Sequence, residues 1–147
     1  MQITTTTAVS ASEAFAAIAD FATLAAWDPF VRTSLLTEGR TLEPGAVYTL
    51  TTAGGMTLRY LVVEVSAPHS VVYRGGTRNV TSTERIDVAP SAEGCSVCIA
   101  TELEFRGWTR LIGPLVRGGV WLGGRFISLP ALRRHLIEGR GRRLGGC

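Results

Sequence analysis

Residues 80–105 read VTSTERIDVAPSAEGCSVCIATELEF. Two alternating runs, 80–88 and 95–105, flank a break that carries Pro90 and Gly94, so the stretch predicts an antiparallel β-hairpin. Alternation also sorts the side chains. In the first run Val80, Ser82, Glu84, Ile86 and Val88 share the apolar face, opposite Thr81, Thr83, Arg85 and Asp87. In the second run Val97, Ile99, Thr101, Leu103 and Phe105 form the apolar face, while Ser96, Glu102 and Glu104 point to water.

Working outward, four more strand-like segments precede this hairpin, at 31–37, 47–53, 57–66 and 70–74. The breaks between them hold Glu43-Pro44-Gly45, Gly54-Gly55, Ala67-Pro68-His69 and Gly75-Gly76, and such short links join antiparallel neighbours. Ahead of them a β-branched run at 2–9 suits a first strand. Ser10 and Glu13 then form a capping box for a helix carrying Phe15, Ile18 and Ala19, and a second short helix fits 21–26. It stops at Trp27-Asp28-Pro29, because proline disfavours helix at itself and at the preceding residue. After the hairpin, 107–137 reads as helix, with Gly118, Gly119, Gly123, Gly124 and Pro130 weakening it. Those glycines imply either close approach to the sheet or a broken, adjustable wall. The order is strand, two short helices, six strands and a long helix. It predicts an α+β fold with the helix laid on one face of a curved sheet.

Composition narrows the function. The 147 residues suit one domain, expected over 1–138, with a flexible Gly/Arg tail at 139–147. All 15 basic residues are arginine, which excludes lysine Schiff-base chemistry and P-loop phosphate binding. His69 and His135 are too few for a histidine-rich metal site, and Cys95 and Cys98, three apart on a strand, point to opposite faces. No metal is therefore expected. The net charge of +3 is concentrated at the C-terminus: residues 133–147 hold five arginines and one acid. Nucleic acid is accordingly not an expected partner. Arg117, Arg125 and Pro114 argue against a membrane span at 111–129. An odd cysteine count and the absence of an apolar signal segment at the start predict a cytoplasmic, reduced protein. The oligomeric state stays open, a homodimer included.

The order and punctuation of the chain resemble the START-like, or SRPBCC, helix-grip superfamily and within it the polyketide cyclase/dehydrase and lipid-transport group. The resemblance rests on residues 9–15 (VSASEAF), Asp20-Phe21 with Trp27-Asp28-Pro29, Leu42-Glu43-Pro44-Gly45, residues 62–74 (VVEVSAPHSVVYR), residues 93–97 (EGCSV) and residues 103–107 (LEFRG). It covers about residues 2–137 and implies a curved seven-stranded antiparallel sheet wrapped around the C-terminal helix. It also implies a polyketide-like, aromatic or lipid ligand, with any chemistry a cofactor-free cyclisation or dehydration. Catalytic residues vary among members, so none is carried over.

A cavity between sheet and helix would be lined by inward side chains. For 57–66 the face of Arg59, Leu61, Val63 and Val65 is taken as inward. The expected ligand-binding residues are Trp27, Phe30, Tyr48, Leu61, Val63, Ser82, Ile99, Thr101, Leu103, Phe105 and Trp121. Glu84 is the informative residue: a carboxylate on an apolar face either has its pKa raised or finds a cation, for which Arg59 is the candidate. As an enzyme, the protein would use Glu84 as general acid/base, with Arg59 or Tyr73 holding an oxyanion. Glu84 and Arg59 could equally be a structural ion pair. The alternatives are a non-catalytic carrier or sensor of hydrophobic molecules and an interaction module with a filled interior.

Overall fold

The computed structural model describes residues 2–123 and 129–144, with side chains for 2–119 and 130–138. In chain order the elements are β1 (Gln2–Thr7), α1 (Ala11–Ile18), a 3-10 turn (Phe21–Thr23), α2 (Leu24–Trp27), β2 (Val31–Glu38), β3 (Val47–Thr52) and β4 (Thr57–Ser66). There follow β5 (Ser70–Gly76), β6 (Val80–Ser91), β7 (Gly94–Phe105), α3 (Thr109–Gly123) and α4 (Leu129–Leu144). The strands form one antiparallel sheet in the order β1-β7-β6-β5-β4-β3-β2. Each consecutive pair from β2 to β7 is joined by a short link, and only β1 crosses to pair with β7. The α+β class and the curved seven-stranded sheet match the sequence reading.

Helix α1 starts where Ser10 accepts from the Glu13 amide and the Glu13 carboxylate accepts from the Ser10 amide at 3.1 Å. It buries Ala14, Phe15 and Ile18 against β6 and β7. Helix α4 packs on β1, α1 and α2 through Leu132 and Leu136, one turn apart and both buried. Arg133 ties the same helix to β1, its Nε donating to Thr5 Oγ1 at 2.6 Å. The terminal helical region is thus described as two helices, and continuity into Pro130 falls on 124–128, outside the described residues. Helix α4 also continues past Gly139 to Leu144, into the stretch expected to be a flexible tail.

The concave face is packed unevenly. Ile86, Val88, Cys95 and Val97, under α1, are buried, whereas Val80, Ile99, Thr101, Leu103 and Phe105, toward the other end of the same strands, are only half-buried. Cys98 lies on the opposite face from Cys95, as alternation requires, its Sγ accepting from Gln2 Nε2 at 3.0 Å. No helix of the described residues is long and apolar enough to cross a membrane.

Candidate functional site

Glu84 sits where the packed and the open halves of the concave face meet. Its strand neighbours Ser82 and Ile86 are buried, and register puts Tyr73 and Thr101 beside it on β5 and β7. Burial of the carboxyl drives its pKa from 4.5 up to about 7, and the negative charge of Asp28 adds to the rise. Two donors oppose that rise: Tyr60, whose hydroxyl donates to Glu84 Oε1 at 3.2 Å, and Ser82. Tyr60 itself is buried, and desolvation together with the Glu84 charge pushes its phenol above the normal range.

Tyr60 reaches β6 because β5 offers no side chain in between. Register runs Tyr48, Tyr60, Gly75, Ser82, Leu103 across the sheet. A Cβ on Gly75 would lie 2.7 Å from Tyr60 Cγ and 2.1 Å from the Arg59 carbonyl oxygen. Gly75→Ala is therefore expected to cost about 1–3 kcal/mol in urea unfolding and to displace Tyr60. With that donor withdrawn, the Glu84 titration followed by carboxyl NMR should move further upward. A variant as stable as the wild type would mean that Tyr60 does not lie over Gly75.

Asp28 reaches this region from the C-terminal end of α2. Its Oδ1 accepts from the Phe30 amide at 3.0 Å, an Asx-type turn around Pro29. Trp27, beside it, is buried with its indole N–H unpartnered, and Ser34 on β2 has a buried hydroxyl likewise without a partner. Such orphaned donors are uncommon in protein interiors and suit a polar guest. Tyr48, fully buried, makes no hydrogen bond of good geometry through its hydroxyl; burial and the charge of Asp20 push its phenol up to about 12.

Several expected positions are corrected. On β4 the inward residues are Tyr60 and Val62, whereas Leu61 and Val63 are exposed on the other face. Arg59 shares that outer face and pairs with Glu38, so it does not meet Glu84. The reason is a register shift between Val62 and Glu64: the bulge breaks the phase that placed Arg59, Leu61, Val63 and Val65 on one side. Tyr73 faces inward, but its hydroxyl donates to the Ala19 carbonyl at 2.5 Å and its ring stacks on Phe21 at 3.6 Å, which leaves it no oxyanion role. Phe30 is 46% exposed. Ser82, Ile99, Thr101, Leu103 and Phe105 all share the Glu84 side of the sheet, and the side chain of Trp121 lies outside those described. Tyr60 and Asp28 were not expected at the site. Gly75 opposite Tyr60 was the signal available for the first.

The sequence profile of the polyketide cyclase/dehydrase and lipid-transport family matches residues 1–128. No curated protein sequence matches significantly. Among solved structures, protein CV1439 from Chromobacterium violaceum superposes with a TM-score of 0.72 at 18% identity, covering 92% of this chain and 95% of its own. MLL2253 from Mesorhizobium loti gives 0.69 at 13% identity, with 97% and 96% covered. The di-domain ARO/CYC StfQ of the steffimycin biosynthetic pathway gives 0.71 at 14% identity, with 96% of this chain matched to 52% of StfQ. At these identities the likeness is one of fold.

Proposed function

The chain belongs to the polyketide cyclase/dehydrase and lipid-transport family, and on that premise we propose that it holds a small hydrophobic molecule on the half-open concave face and acts on it through Glu84. The ligand class is polyketide-like, aromatic or lipid. Its apolar body would rest on Ile99, Leu103 and Phe105, and a carbonyl or hydroxyl group would meet Glu84. The observation that carries the reading is a carboxyl group on an apolar face, raised to about 7 and accepting from Tyr60. Such a group is populated in both protonation states near neutrality, which suits general acid/base work. In a dehydration, the carboxylate would take the proton alpha to a carbonyl. The resulting acid would then return a proton to the departing hydroxyl, so that a C–H and a C–O bond break, a C=C bond forms and water leaves. Tyr60 and Ser82 hold the carboxyl in place, and no cofactor takes part. A second reading, a non-catalytic carrier, draws support from Arg59 on the far face, which leaves the oxyanion role without its expected cation.

Native mass spectrometry of co-purified small molecules, followed by turnover of the molecule found, tests both readings. Under the catalytic reading Glu84→Gln retains the ligand but loses about 10²–10⁴-fold in turnover. Retained ligand with no turnover in the wild type favours the carrier. Unchanged affinity and turnover in the variant would remove Glu84 from the site.

A further inference from the structure

Helix α3 turns its smallest face to the sheet. Thr109, Gly113 and Arg117, spaced four apart, meet it. Thr109 Oγ1 donates to the carbonyl of Asn79, just before β6, at 3.0 Å, a Cβ on Gly113 would lie 3.1 Å from the Phe105 ring, and Arg117 donates to Leu103 O at 2.8 Å. The side facing away is apolar. Trp108, Leu111, Ile112 and Leu115 fall at the spacing of one helical stripe, and Leu111 and Leu115 are 85% and 79% exposed.

Along the sequence, the segment that carries this stripe has charge of one sign. Residues 106–143 hold nine of the 15 arginines and a single acid, Glu138, for a net +8, while residues 1–105 carry a net −5. An exposed aliphatic and tryptophan stripe flanked by arginine, on a helix too short and polar to span a bilayer, has the make-up of a helix lying in a membrane interface. A second copy is disfavoured as occupant, because it would bring one cationic segment against another. A purely electrostatic partner would leave Leu111 and Leu115 without a role.

We propose that α3 docks on an anionic lipid surface, with Trp108, Leu111 and Leu115 inserted at the headgroup level and the exposed Arg106 and Arg110 on the lipid charges. Only the interface is involved, and no particular guest in the concave face is required. The test is co-sedimentation of the full chain with phosphatidylcholine vesicles, with and without phosphatidylglycerol. Binding is expected to be about tenfold or more tighter on the anionic vesicles and to weaken as salt is raised. Leu111→Asp with Leu115→Asp should abolish it while circular dichroism stays unchanged, since both positions are exposed. No binding to anionic vesicles at low salt, equal binding to neutral ones, or equal binding by the double variant would overturn the proposal. So would light scattering that shows a dimer which this variant dissociates.

Discussion

Tyr73→Ala is expected to lower the free energy of unfolding by about 3–5 kcal/mol, read as a fall in the urea midpoint, the largest effect of any substitution considered. The ring is fully buried, stacks on Phe21 at 3.6 Å and meets Tyr48 edge-on at 5.8 Å, so truncation opens a cavity where three elements converge. Tyr73→Phe separates the ring from the hydroxyl. It keeps the stack and removes only the donor to the Ala19 carbonyl at the end of α1, which costs about 1–2 kcal/mol. The pair of variants also decides what the residue is for. A hydroxyl committed to a backbone carbonyl predicts a Phe variant that is weaker in folding and unchanged in ligand affinity. The reverse result, intact stability with lost affinity, would return Tyr73 to the ligand.

The residues that encode the architecture act locally, which is why it was legible. The Ser10–Glu13 capping box, the Pro and Gly breaks and the alternation of 80–88 and 95–105 each fix their element without help from afar. The inward place of Glu84 followed from that alternation alone. The face of β4 did not, because both of its faces are apolar and a bulge at Val62/Glu64 shifts the phase midway. Three aliphatics counted across such a bulge do not share a side. Tyr60 was hidden by the same shift, and its reach to β6 depends on a glycine on a third strand. The attachment of Tyr73 to Ala19 spans 54 positions, and no local pattern announces it.

Between pH 5 and pH 8 the wild type is expected to lose about 2–3 kcal/mol of stability that Glu84→Gln does not lose. An unfolded Glu84 titrates near 4.5, whereas in the fold burial and Asp28 raise it to about 7. Within that window the native state holds a proton that the unfolded chain has released. The native state therefore binds more protons, and stability falls as pH rises. Below pH 4.5 both states are protonated and the contribution is fully present; above about 7 the native carboxyl ionises in its apolar surroundings and the contribution is gone. Glutamine keeps the shape without the charge, so the variant should match the wild type in acid and exceed it at pH 8. The difference between the two curves reports Glu84 together with its coupling to Asp28. Tyr60→Phe sharpens the test, because removing the donor that favours the carboxylate raises the native pKa further, so the loss should begin at the same pH but run on to higher pH and grow larger. Parallel stability curves for wild type and Glu84→Gln would mean that the carboxyl is solvated. The acid/base reading would then lose its physical basis, whatever ligand the concave face holds.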